Sequence, residues 1–200
     1  MRNEKGSEVV TKQKYPEFFE TLEDSLAGLK LPEITIGESR ICSNAKASHL
    51  SYSIFFNRIF WDKLNNQERV AAALHEIGHL KSPVRRFYVY PILIISLAVI
   101  PYFAFYLYLR LFTLVFYFWI LWVIYVRFFV FGVLCYVSRW DENFADNFAS
   151  QRIDKKYLVS AIKKLPRGKP LYRLIYYLSL WPFETHPSPK KRIAHILKKN

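Results

Sequence analysis

The chain has 200 residues, 52% of them hydrophobic, with 29 Lys and Arg against 16 Asp and Glu, for a formal net charge of +13. That length suits one compact domain, alone or joined to a membrane element. The charge asks for an anionic partner, but no recognised nucleic-acid-binding signature is present, so nucleic acid is set aside in favour of anionic lipid head groups beside an apolar block.

Residues 16–29 space Phe18, Phe19, Leu22, Leu26 and Leu29 as one helical face, with Gly28 near the end. Ile34–Ile36 and Arg40–Ser43 read as short strands around a turn at Gly37. His49 to Phe60 is rich in Ser, Tyr, Ile and Phe with partial alternation, which predicts a strand at a sheet edge. Asn65 followed by Glu68 has the form of a capping box, so a helix is expected to start there. Val70, Ala73, Leu74 and Ile77 are its buried stripe, and Gly78 would let another backbone or a substrate come close. Ser82-Pro83 ends it.

Within that helix, residues 75–79 read HEIGH. Positions i and i+4 share a helical face, so His75 and His79 can grip one metal ion, with Glu76 placed to take a proton from water bound to it. This is the arrangement of a zinc hydrolase, usually a peptidase. The polar residues 65–69 before the motif and Lys81 after it place it in water rather than inside a membrane span.

Residues 87–137, 51 in all, are almost wholly apolar or aromatic, broken by Arg110 and Arg127. One crossing needs roughly 20 apolar residues. The block therefore predicts a transmembrane hairpin, one helix from about 87 to 108 and a second from about 112 into the 130s, with Arg110 at the turn and Arg127 reaching the membrane surface. Lys81, Arg85 and Arg86 before it, and Arg139, Arg152, Lys155 and Lys156 after it, put both polar regions on the cytoplasmic side of a cell membrane. The first forty residues lack an apolar signal core. Cys42 and Cys135 fit a reducing compartment and no structural disulfide is expected.

Beyond the block, 140–153 reads as a helix, 155–165 as a basic amphipathic helix stopped by Pro166-Arg167-Gly168, 170–181 as aromatic and apolar, and the tail after Pro187 as a turn running into a short basic helix. Two histidines make an incomplete site, since catalytic zinc takes three protein ligands and keeps one position for water. His49, His186 and His195 are available, but Glu142 is the better candidate. It shares a helical face with Asp146, and Ala145 leaves room beside them. Asp146 would accept a hydrogen bond from a zinc-bound imidazole and hold its orientation.

These pieces resemble, in order, the membrane zinc metalloproteases that include the HtpX heat-shock proteases and the type I CAAX prenyl proteases. The resemblance covers roughly residues 44–193: Asn44-Ala45 ahead of a strand, HEIGH, Glu142-x-x-Ala145-Asp146, and Thr185-His186-Pro187 with Arg192-Ile193. It implies Glu142 as third zinc ligand, Asn44 and Ala45 beside a substrate-binding edge strand near 47–56, and His186 and Arg192 near the active site, binding substrate or stabilising the developing oxyanion. His49 and His195 are left as structural or surface residues. The fold it implies is α+β and mainly helical: a zincin-like catalytic domain with the HExxH helix and a small antiparallel sheet, split into 1–86 and 138–200 by the hairpin 87–137. Unlike HtpX-like members the chain has no membrane hairpin ahead of the catalytic helix, and it is far smaller than the CAAX proteases. A minimal endopeptidase with one Zn2+, open to the cytoplasm and acting on polypeptide substrates at the lipid bilayer, is therefore expected. The rival is a non-catalytic membrane adaptor that keeps the fold for binding; the intact Glu76 and the three ligand candidates argue against it.

Overall fold

The structure, a computed structural model, describes residues 7–38, 44–83, 131–165 and 187–198. Within them, in chain order, lie β1 (Glu8–Val9), α1 (Pro16–Leu26), β2 (Glu33–Gly37), β3 (Ala45–Ser48), β4 (Ser53–Asn57), α2 (Arg58–Trp61), α3 (Asn66–Lys81), α4 (Phe131–Ser150), α5 (Lys155–Lys163) and α6 (Pro189–Lys198). The strand expected at 40–43, the apolar block up to residue 130, and the stretch 170–181 lie outside the described residues.

Pro16 opens α1, where a missing N–H breaks no helical bond. Phe18, Phe19, Leu22 and Leu26 turn inward as their spacing predicts. The helix stops at Leu26 rather than Leu29, because Ala27 turns left-handed (φ 48°) and Gly28 follows at φ 84°.

The sheet is mixed, which corrects the expected antiparallel one. Its order is β1-β2-β4-β3. The outer pairs β1/β2 and β3/β4 are antiparallel, but β2 and β4 are parallel, with Ile34 opposite Ile54 and Ile36 opposite Phe56. Strand β3 carries the chain back, so β4 regains the direction of β2 and slots in beside it. Alternation along each strand then gathers Ile34, Ile36, Ile54 and Phe56 in the core, each at most 2% exposed.

The single strand expected over 49–60 is also corrected. Residues 49–52 form a turn, with Tyr52 at φ 47°. Asn57 ends β4 by accepting a hydrogen bond from the Ile59 N–H (3.0 Å), which caps α2. The edge strand is therefore β3, residues 45–48, and not 47–56, because β4 is paired on both sides.

Helix α3 starts as predicted. The Asn65 side chain accepts from the Glu68 N–H (2.9 Å) and the Glu68 carboxylate accepts from the Asn65 N–H (2.8 Å). Residues 70–79 are all buried, because α1, β3, β4, α4 and α5 surround the helix. Its base is tied to α5, where Ser160 Oγ and Lys164 Nζ each donate to the Glu68 carboxylate at 2.6 Å.

Helix α4 is already helical at Phe131, ahead of the expected 140, and runs unbroken through Ser150. Among the described residues no helix is long and apolar enough to cross a membrane. Helix α5 is capped by Asp154, whose side chain accepts from the Lys156 N–H. Helix α6 forms where the basic tail helix is expected and packs on α4 and α5.

Candidate metal centre

Helix α3 carries His75, Glu76 and His79 through its buried middle, and α4 lies across them. The two helices run antiparallel at the crossing, since His75 meets Asp146 while His79 meets Asp141. A glycine makes the crossing close: a Cβ built on Gly78 would stand 2.7 Å from the Ala145 Cα. The expected close approach at Gly78 is thus to another backbone.

At this crossing three ligand atoms converge. The His75 and His79 Nε2 atoms are 3.2 Å apart; Glu142 Oε2 lies 3.6 Å from His75 Nε2, and Oε1 lies 3.5 Å from His79 Nε2. A tetrahedral zinc with bonds of about 2.0–2.1 Å separates neighbouring ligand atoms by roughly 3.3–3.4 Å. The spacing of the two Nε2 atoms is close to that value, and Glu142 brings one carboxylate oxygen to a similar distance from each imidazole. Two imidazole nitrogens and a carboxylate, with a fourth position left for water, are also the donor set of a catalytic zinc. His75, His79 and Glu142 can thus hold a metal ion.

Behind the ligands stand two more carboxylates. His75 Nδ1 donates to Asp146 Oδ1 at 2.9 Å, and His79 Nδ1 donates to Asp141 Oδ2 at 2.8 Å. From α6, Arg192 grips Asp146 with both arms of its fork, Nε to Oδ2 at 2.9 Å and NH2 to Oδ1 at 2.6 Å, and its NH1 lies 3.3 Å from Glu142 Oε2. Asp146 is wholly buried. Burial raises its pKa, but hydrogen bonds from His75 and Arg192 outweigh that and bring it to about 2. Burial likewise opposes charge on His79, yet Asp141, Glu142 and the field of Glu76 hold its pKa up at about 10 when no metal competes.

The expected site residues fall into three groups. His75, His79, Glu142, Asp146 and Arg192 meet at one point, and Glu76, buried next to His75, lies near enough for its charge to act on His79 and Arg192. Asn44 and Ala45 belong to the sheet edge, where the Asn44 carbonyl accepts from the Asn57 N–H at 2.7 Å as β3 begins. His186 and its neighbour Thr185 lie outside the described residues. His49 sits in the β3–β4 turn and His195 on α6, neither in the metal-binding group, and Cys135 is a free buried thiol. Asp141 is the residue that pattern reading passes over, because it is adjacent to Glu142 rather than one helical turn away. Three carboxylates within the six residues 141–146 were the available signal.

A family model described as Peptidase family M48 matches residues 21–200. Among solved structures, the crystal structure of S. mikatae Ste24p is similar, with a TM-score of 0.57 and 17% sequence identity. The match covers 95% of this chain and 52% of that one, so the chain spans about half the length of the protein it resembles. The likeness is one of fold. No curated protein matches in sequence.

Proposed function

The chain belongs to peptidase family M48, and on that premise we propose that it is a zinc-dependent endopeptidase acting on membrane-associated or misfolded polypeptides at the cytoplasmic face of a membrane. The observation that carries the reading is the convergence of His75, His79 and Glu142, one ligand atom from each lying within 4.8 Å of the others, as a site for a single ion requires. A zinc ion bound there supplies polarisation of an attacking water and of the scissile carbonyl.

The chain's own groups do the rest. Glu76, next to His75 and 8% exposed, accepts the proton of the attacking water and returns it to the leaving amine. Asp146 keeps the His75 ring turned with Nε2 toward Glu142. Arg192 has both arms on Asp146, a geometry that favours bracing the ligands over the oxyanion contact the family pattern implies. His186 is retained as the substrate-side group of that pattern. Strand β3, opening at Asn44-Ala45, is an edge along which an extended peptide can pair, its backbone supplying the hydrogen bonds.

The membrane assignment rests on the apolar block 87–137 and its basic flanks. We read it as a two-helix hairpin dividing the catalytic domain into 1–86 and 138–200, with both halves and both termini cytoplasmic.

The test is Glu76→Gln in the full chain, purified in detergent. Zinc should remain at one per chain while cleavage of an unfolded protein falls by roughly 10²–10⁴-fold. Cleavage at the wild-type rate would remove Glu76 from the chemistry.

A further inference from the structure

We propose that Asp141 is a positioning residue that fixes the second metal-binding imidazole, His79, as Asp146 fixes the first. The inference rests on the zinc-peptidase reading above and extends it to a residue outside the ligand set. Asp141 is 2% exposed, and its Oδ2 lies 2.8 Å from His79 Nδ1. An ionised carboxylate only accepts hydrogen bonds, so Nδ1 is the donor. That assignment turns Nε2 toward Glu142, 3.5 Å away.

The pair repeats, across the same helix crossing, the 2.9 Å contact of His75 with Asp146. Asp141 and Asp146 flank Glu142 on α4, so one helix presents the third ligand and an anchor for each imidazole. A buried carboxylate is costly unless a hydrogen-bonded partner compensates it, and the His79 ring supplies that partner. Without Asp141 the ring is free to rotate about χ2 or take the other tautomer, and either change withdraws the Nε2 lone pair from the metal.

The experiment compares wild type, Asp141→Ala and Asp141→Asn as full chains in detergent, with zinc itself as the probe. Zinc affinity is read against a chromophoric chelator, and the His79 Nδ1–H resonance by NMR of ¹⁵N-histidine-labelled, zinc-loaded protein. Asp141→Ala should bind zinc about 10–100-fold more weakly. Asp141→Asn, which keeps an acceptor oxygen, should recover most of that loss, and its His79 Nδ1–H resonance should shift from the wild-type position. Unchanged zinc affinity in Asp141→Ala overturns the inference, as does Asp141→Asn binding as weakly as the alanine variant. If Asp141→Ala does not fold, the Asn variant decides: a shifted Nδ1–H resonance supports the contact and an unmoved one overturns it. A wild-type chain that takes up no stoichiometric zinc overturns the peptidase reading itself, an outcome distinct from zinc-binding wild type with indifferent variants.

Discussion

Gly78 and Ala145 touch at the point where α3 crosses α4, and no side chain fits between them. A Cβ on Gly78 would meet the Ala145 Cα at 2.7 Å and its carbonyl oxygen at 3.1 Å. Both are atoms of a helix backbone, so relief requires the helices to part. Because His79 follows Gly78 and Glu142 lies one turn before Ala145, parting the helices also spreads the ligands. Gly78→Ala should therefore destabilise the fold by about 1–3 kcal/mol and weaken zinc binding in the same variant. Urea unfolding and chelator competition measure the two effects, and a stable variant with wild-type zinc affinity would contradict the packing argument.

The raised pKa of His79 sets a pH dependence. In the metal-free protein the folded value, about 10, exceeds the ordinary 6.5, so its contribution to stability is full below about pH 6.5 and is lost as pH rises toward 10. Zinc must displace that proton. Apparent zinc affinity should climb roughly tenfold per pH unit across this window, one proton being released per ion bound. Unfolding with chelator should thus show falling stability between pH 6.5 and 10, while the added stability from zinc grows. A pH-independent zinc affinity would rule out a protonated His79.

Glu68 holds the start of α3 to α5. Burial opposes its charge, but Lys164, Ser160 and the Asn65 N–H outweigh burial and keep its pKa below the usual carboxylate value. Its contribution is present above about pH 4.5 and disappears as pH falls through the lowered folded value. Glu68→Ala removes the half of the capping box that accepts the Asn65 N–H and leaves Lys164 without its carboxylate, and should cost about 2–4 kcal/mol. Zinc affinity of the folded fraction should stay at the wild-type level, since Glu68 is not among the converging groups. Urea midpoints and zinc titration separate the two.

The edge strand offers a test of substrate binding. The Asn57 N–H bonded to the Asn44 carbonyl fixes the antiparallel alternation, which turns the backbone groups of Ala45 and Ala47 away from β4. Ala47→Pro deletes one outward N–H while sparing the ladder to β4. Cleavage of an unfolded substrate should drop about tenfold through KM, from a hydrogen bond worth roughly 1 kcal/mol and the proline's bulk. Zinc content should not change. Full activity in this variant would place the substrate elsewhere.

The local features were legible because their physics is local. The Asn65–Glu68 box, the inward stripe of α3 and the i, i+4 pairs His75/His79 and Glu142/Asp146 each depend on residues within one helical turn, so spacing alone specifies them. The strand errors arose where locality ends. Residues 49–60 have strand composition throughout, but a turn at Tyr52 and a cap at Asn57 break them up. The parallel β2/β4 pairing depends on where β3 returns the chain.

The sequence by itself determined the helix that carries HEIGH and its cap, and offered two histidines and one glutamate as candidate ligands. Only the tertiary structure decided that Asp141 backs His79 from 62 residues away, that Arg192 closes on Asp146 from 46 residues away, and that β3 rather than β4 lies at an edge of the sheet among the described residues. The reason is that such contacts are chosen by which surfaces can be buried together. No spacing rule records that the missing side chain of Gly78 lets α4 come close enough to complete the site.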